Sequence, residues 1–513
     1  MNHEIPSKPE AIVELLPLGK VVKVERGTPL QDLLFVHGVE FPCGGQGLCK
    51  SCKIRVIEGS LPVSADEERR FTATELAAGW RMACRGRVEG NLRLELAQWE
   101  AAILGDDTPM TFTPQPGLGL AVDLGTTTLV AQLVDLETCH VVGVRAELNG
   151  QAQFGSDIMS RVDFAVAADG RARLEKLIRE QIGRLAQELL DSANPAAGKR
   201  LERVVVVGNT VMHHLFCGLR LEPLAHFPFE PLTPGGQRFD AASLAWDLRG
   251  NPVVRFLPCL GGFVGSDLLA GILATQMHES HRPVALLDLG TNGEIVVGNR
   301  DRLLCASTAA GPAFEGARIS MGMRAATGAI SAVRAEGGAL SCHVLGHVAP
   351  RGICGSGLVD AVAAGLDLGW IQPNGRLANG GGPILLAPPV SLTQRDVREL
   401  QLAKGAIAAG LRILLEQWGA NVADLERVYL AGAFGNYINY ASARRIGLLD
   451  FPPEQIHAAG NTALRGAKLA LFDVPAAEGG DYSDILARAR HVSLNEDARF
   501  QDLFAQEMGF PKA

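Results

Sequence analysis

One short phrase occurs twice in this 513-residue chain, and that repetition limits the fold more than any other feature. Residues 119–134 read GLAVDLGTTTLVAQLV and residues 284–298 read VALLDLGTNGEIVVG. Each is an apolar strand ending in Asp-Leu-Gly-Thr, then a turn and a second apolar strand. Asp123 and Asp288 lie 165 residues apart (288 − 123). Each copy opens a long run of alternating strands and helices, which predicts two related α/β subdomains facing one another.

The flanking pattern agrees. Leu174, Leu177, Ile178, Ile182, Leu185, Leu189 and Leu190 recur at helical spacing and predict a helix over 171–194. RVVVVG at 203–208 predicts a buried strand leading to Asn209 and Thr210. A long helix is expected over 396–418, with Thr393 as a possible cap. RVYLAGAFGNYIN then runs an apolar strand into Gly432, Gly435 and Asn436, a turn where a nucleoside can press against backbone.

The chemistry of the repeated hairpin follows from its parts. A strand-terminal Asp suits a hydrated Mg²⁺, a hard cation that prefers oxygen ligands. The glycine admits a phosphate close to the backbone, and threonine hydroxyls and amides donate to its oxygens. A single D-x-G-T turn also fits an ordinary hairpin, whereas two copies with opposed carboxylates point to a shared cleft. The expected site comprises Asp123 with Gly125, Thr126, Thr127 and Thr128, Asp288 with Gly290, Thr291, Asn292 and Gly293, and Gly432, Gly435 and Asn436.

Residues 1–97 have a different character. Two short strands (12–17 and 21–25), a helix near 29–37, the loop FPCGGQGLCKSC, a strand over 53–57 and a late cysteine before a last strand follow the order of a β-grasp ferredoxin. Cys43, Cys49, Cys52 and Cys84 are spaced C-x5-C-x2-C, then 31 residues, then Cys. Four thiolates can hold a 2Fe–2S cluster, and Gly44, Gly45 and Gly47 let the loop curl round it. The first gap is one residue longer than in the plant-type pattern. Structural zinc is the alternative, but zinc sites usually present two separated Cys pairs. Lys50, Lys53, Arg55, Arg81, Arg85 and Arg87 form either a docking face for an acidic redox partner or an ordinary solvated surface.

Residues 98–117 hold three prolines without strand or helix period and read as a linker, followed by subdomains at 118–280 and 281–513. The formal charge of −8 gives no sign of a nucleic-acid or membrane-surface protein. No signal pattern and no run of ~18 apolar residues is present, so a cytoplasmic protein is expected. The other six cysteines are scattered singly, as suits a reducing compartment. His213 and His214 invite a metal-ligand reading, though a helix start after Gly-Asn-Thr explains them more simply. Cys354 reads as a packed thiol. The Gly-rich runs 310–317 and 352–360 fit cleft lining and tight helix packing equally well.

The duplicated α/β part resembles the ASKHA superfamily of actin, sugar kinases and chaperone ATPases, which has a ribonuclease H-like fold. That resemblance makes Asp123–Thr128 and Asp288–Gly293 the two phosphate motifs and 430–436 the adenosine motif. It places 460–466 near the second connecting helix. An N-terminal ferredoxin fused to such an ATPase resembles the reductive activators of corrinoid proteins, through VVVVGNTVMHHL, LLDLGTNGEI, AGPAFEGA, GICGSGLVD, LAGAFGNYIN and CGGQGLC. The resemblance implies ATP- and Mg²⁺-dependent transfer of one electron from a 2Fe–2S cluster to Co(II), regenerating Co(I). It also implies a corrinoid-protein partner, an upstream electron donor and a homodimer through the ATPase part. Longer members carry a further small domain where only the linker stands here. The competing functions are an ATP-coupled donor to another low-potential enzyme, a small-molecule kinase with a redox-sensing ferredoxin, and a non-catalytic binding module.

Overall fold

A computed structural model of the chain describes residues 9–16, 20–35, 52–96 and 112–512, apart from 156, 168, 194–198, 249, 291, 317, 324, 326–327, 346–347, 379, 381, 436–437 and 474–481. Cys43, Cys49, Gly44, Gly45, Gly47, Lys50, Thr291 and Asn436 lie outside the described residues.

Near the N-terminus, Ala11, Val13 and Leu15 alternate with solvent-facing neighbours along the strand Glu10–Leu16, so one face of a sheet is buried. That strand pairs antiparallel with Lys20–Glu25 and parallel with Leu92–Leu96. Lys53–Glu58 and Trp80–Met82 complete the five-stranded sheet. The short helix Leu30–Phe35 buries Leu30, Leu33 and Leu34. First strand parallel to last, with a helix in its grasp, is the β-grasp arrangement.

The rest of the chain builds two six-stranded sheets that share a five-strand order and differ in the sixth, which in the second sheet is Ala489–His491, parallel to Leu303–Thr308 at the opposite edge. In the first, the central strand Leu118–Leu124 pairs antiparallel with Thr128–Asp135, which pairs antiparallel with Val141–Leu148. On its other side lie Leu201–Gly208 and Val253–Phe256, both parallel, with Gln237–Asp240 at the edge. In the second, Val284–Leu289 takes the central place, with Gly293–Gly298 and Leu303–Thr308 antiparallel on one side. Arg427–Ala431 and Ile456–Gly460 follow in parallel on the other. The repeat in sequence is thus a repeat in topology. The second half also carries a small sheet (Ala329–Glu336, Ala339–Val344, Gly352–Ile353) that no sequence pattern announced.

Two helices join the halves. Ser266–Thr275 leaves the first half and packs on the central strand of the second. Thr462–Phe472 leaves the second and packs on the central strand of the first. The helices touch closely because Gly466 has no side chain: a methyl group there would overlap the carbonyl oxygen of Ala270. The Phe112 ring lies tilted against Phe472 at 4.9 Å and Gln115 donates to the Phe472 carbonyl, so residues 112–115 are fastened to the second helix.

The histidine pair has its plain explanation. Asn209 caps the helix Thr210–Cys217, and both rings are buried in the core, that of His213 edge-on to Phe256. Burial and the neighbouring His214 push the pKa of His213 down to about 3. Cys354 is buried, which raises its thiol pKa. The 352–360 run packs tightly: methyls at Gly355 and Gly357 would overlap the carbonyl oxygens of Phe314 and Ile330.

Candidate functional site

At the N-terminal domain the structure brings two predicted thiols together. The Ala83 amide donates to the Cys52 carbonyl at 3.0 Å, aligning the two chain segments, and the Cys52 and Cys84 sulfurs stand 3.5 Å apart. Cys52 is buried and Cys84 half-buried. Glu67, also buried, closes the capping box of helix Ala65–Arg70 on Ser64 and accepts the Met82 amide at 2.6 Å, holding the strand before Cys84. Two adjacent thiols of this burial fit a shared metal centre. Four of the six basic residues around them are already engaged. Arg55 pairs with Glu95 and Arg85 with Asp66, Arg81 donates to three carbonyls, and Arg87 donates to Gly27. These bonds favour the ordinary surface over a docking face.

In the α/β part, Asp123 and Asp288 end their central strands in the same cleft. Asp123 lies opposite Val130 and Asp288 opposite Glu294. Directly paired residues share one face of a sheet, so Asp288 and Glu294 stand side by side. Asp267, second residue of the first connecting helix, joins them. Burial raises the pKa of Asp123 to about 6, against the pull of the Asn461 amide, which donates to Oδ2 at 2.8 Å. Burial and the charge of Asp123 raise Asp288 to about 7. Burial, then Asp288 and Asp123, raise Asp267 to about 7, and Glu294 is raised well above its usual range. Asp123, Asp267 and Asp288 each keep an edge open to solvent, so the cluster faces the cleft rather than the core.

Four carboxylates in one cleft form an oxygen donor set suited to a hard cation. Among the described residues no three acidic, His or Cys side chains close into a direct shell.

The first hairpin loop is tied from behind. The Gly125 amide closes the turn on the Thr128 carbonyl at 3.1 Å. Asn149 Nδ2 holds the Gly125 carbonyl, Arg161 that of Thr126, and the Asn149 amide that of Thr127. Asn209 donates to the Thr126 hydroxyl at 2.8 Å. No acceptor among the described residues takes the amides of Thr126 or Thr127. In the second loop the Gly290 amide bonds the Asn292 carbonyl, and Gly293 is packed against Ile407 and Thr308.

Gly432 starts the short turn Gly432–Gly435 after the strand Arg427–Ala431, with φ +79°. A Cβ there would stand 2.6 Å from Asp288 Oδ1. The expected nucleoside turn therefore touches the second carboxylate directly. Sequence reasoning missed Asp267, Glu294, Asn461, Asn149, Asn209 and Arg161. Glu294 lies in the run that carries Asp288, but only the strand register marks it.

Two opposed hairpins on paired α/β halves, in one chain with a thiol-bearing β-grasp domain, define a redox protein with an ASKHA-type fold. Comparisons with known proteins agree. Residues 13–89 match the 2Fe-2S iron-sulfur cluster binding domain, 118–280 the RACo middle region, and 282–513 the C-terminal domain of RACo, the ASKHA domain. The corrinoid activation enzyme RamQ of Eubacterium limosum is 35% identical over 434 residues, covering 79% of this chain and 72% of its own. The [Co(II) methylated amine-specific corrinoid protein] reductase of Methanosarcina barkeri is 29% identical, covering 76% and 77%. The solved structure of a reductive activator for corrinoid, iron-sulfur protein superposes with a TM-score of 0.69 at 26% identity, covering 98% of both chains. The chain belongs to the family of reductive activators of corrinoid proteins.

Proposed function

We propose that this protein returns oxidised corrinoid proteins to Co(I) by one-electron transfer from a 2Fe–2S cluster, coupled to MgATP in the cleft between its two α/β halves. The observation that carries the reading is the union, on one chain, of the Cys52–Cys84 pair at 3.5 Å with the opposed Asp123 and Asp288. Cys43 and Cys49 complete the proposed ligand set. A cluster of this kind supplies one electron at about −400 mV in plant-type ferredoxins.

The chain's own residues do the remaining work. Thr126 and Thr127 offer amides to phosphate oxygens, while Gly432 leaves room beside Asp288 for the nucleotide. Asp123, Asp267, Asp288 and Glu294 would hold the cation, and its divalent charge would offset their mutual repulsion. Nucleotide gripped from both sides favours a closed cleft, with the helices meeting at Gly466 and Ala270 as the pivot. Moving the partner's cobalt population from 1:99 to 99:1 would take ~5.5 kcal/mol of differential affinity. The proposal extends to an upstream donor, a homodimer and a cytoplasmic location. No described helix is long and apolar enough to cross a membrane.

The test is anaerobic. The reduced protein is mixed with a Co(II) corrinoid protein, with and without MgATP, and Co(I) absorbance is followed. Co(I) formation that requires MgATP is expected; its absence with every encoded corrinoid partner would overturn the reading.

A further inference from the structure

Arg161, in the helix Ile158–Val166, is completely buried and ranks among the largest side chains so enclosed. Its Nε donates to the Gly155 carbonyl at 2.9 Å and its Nη2 to the Thr126 carbonyl at 2.5 Å, while Nη1 lies 3.6 Å from Met212 Sδ. Among the described residues no carboxylate comes within ion-pair distance of it. Asp157 acts on it from further away, but that carboxylate caps the helix and accepts the Ser160 amide. Burial lowers the Arg161 pKa only to about 10, so the guanidinium is charged at neutral pH.

A buried cation bonded only to neutral carbonyls is costly unless a counter-charge answers it. The loop in front of it has a place for one. The carbonyl gripped by Nη2 belongs to the Thr126–Thr127 peptide, whose N–H is the Thr127 amide without an acceptor. Hydrogen bonding at one end of a peptide polarises the other end and strengthens it as a donor. Asn149 treats the adjoining Gly125–Thr126 peptide in the same way, without charge.

We infer that Arg161 is a positioning residue for polyphosphate: it never touches the ligand, but charges the back of the Gly125–Thr127 loop so that the front binds anions according to their charge. The inference rests on the nucleotide reading above and adds the group that makes the first hairpin selective for di- and triphosphates over monophosphates.

The experiment measures the affinities of AMP, ADP and ATP, each with Mg²⁺, for wild type, Arg161→Gln and Arg161→Lys. Cluster absorbance and melting temperature report folding. In Arg161→Gln the loss should grow from AMP to ATP and reach about tenfold for ATP, equivalent to ~1.4 kcal/mol. Arg161→Lys keeps the charge and should keep the wild-type ATP-to-AMP ratio within about threefold. An equal loss for all three nucleotides in Arg161→Gln would mean simple loop support and overturn the inference. If Arg161→Gln does not fold, a collapsed ATP-to-AMP ratio in folded Arg161→Lys overturns it equally. Failure of wild type to bind any nucleotide would strike the functional reading instead, so the two are distinguishable.

Discussion

The two Asp-Leu-Gly-Thr hairpins share a strand order but not an electrostatic character. Behind the first stand donors: Asn149 and Arg161 hold its carbonyls, Asn209 its threonine hydroxyl and Asn461 its carboxylate. Beside the second stand acids: Glu294 is its register partner, and the charge of Asp288 helps to raise both Asp267 and Glu294. Burial raises both carboxyls, that of Asp123 against the Asn461 hydrogen bond and that of Asp288 with the added charge of Asp123. On the proposed function, a duplicated fold is divided between two tasks. The donor-lined half suits phosphate, and the acid-lined half suits the cation that accompanies it.

The sharpest way to break this comparison is to remove one carboxylate at a time. Asp123→Ala and Asp288→Ala are each expected to lower ATP-dependent Co(I) formation at least ~100-fold while the cluster spectrum persists, the scale of a lost group that stabilises developing charge. Cobalt reduction surviving both changes would end the ATP role. Mg²⁺ titrations sharpen the contrast, because Asp288→Ala should weaken cation binding more than Asp123→Ala does.

Next in size is the pair of glycines in the turn after Arg427–Ala431. Gly432→Ala meets both a positive φ and Asp288 Oδ1, and should cost about 1–3 kcal/mol of stability along with most of the nucleotide affinity. Gly435→Ala has its nearest contact at 3.3 Å, the carbonyl carbon of Leu430, and should cost less than ~1 kcal/mol. Thermal melts with and without MgATP compare them. If the two variants behave alike, contact with Asp288 is not what the turn is for.

The acid-lined half should also show in the pH dependence of stability. Asp267 and Asp288 have folded pKa values raised from 3.8 to about 7. Their contribution is therefore complete below about pH 4 and is lost as the pH rises through 7. Cation-free protein is expected to melt at a lower temperature at pH 8 than at pH 6 through these groups. Asp267→Asn should flatten that slope, and saturating Mg²⁺ nucleotide should offset the loss in wild type.

The smallest effect belongs to the link between the halves away from the cleft. Glu230 accepts from His491 at 2.6 Å and from the Gly262 amide at 3.0 Å. Glu230→Gln should cost about 0.5–1.5 kcal/mol, as for one partly exposed charged hydrogen bond, and leave nucleotide affinity nearly unchanged in equilibrium binding.

Much of this was legible in the chain because it is local. The apolar spacing at 171–194 and 396–418 predicts helices that the structure places at Gly170–Ala193 and Gln394–Trp418, the latter capped by Thr393 as expected. Helical period and capping chemistry act within a few residues, so they can be read in order along the sequence. The helices Ala65–Arg70 and Ala73–Ala77 carry capping boxes that sequence reading had every means to find, yet they are too short to show a period. Glu294 needed the register of two strands, Asn461 a helix cap 338 positions from its partner Asp123, and Arg161 a loop 35 positions away.

By itself the sequence determined that the α/β fold is doubled and that four cysteines stand at ferredoxin spacing, since motifs and apolar periods survive without any knowledge of contacts. Tertiary structure alone decided that the two hairpins are unequal. Their residues are nearly the same, but the charges that reach them come from distant segments. Burial multiplies those charges in a way no linear pattern records.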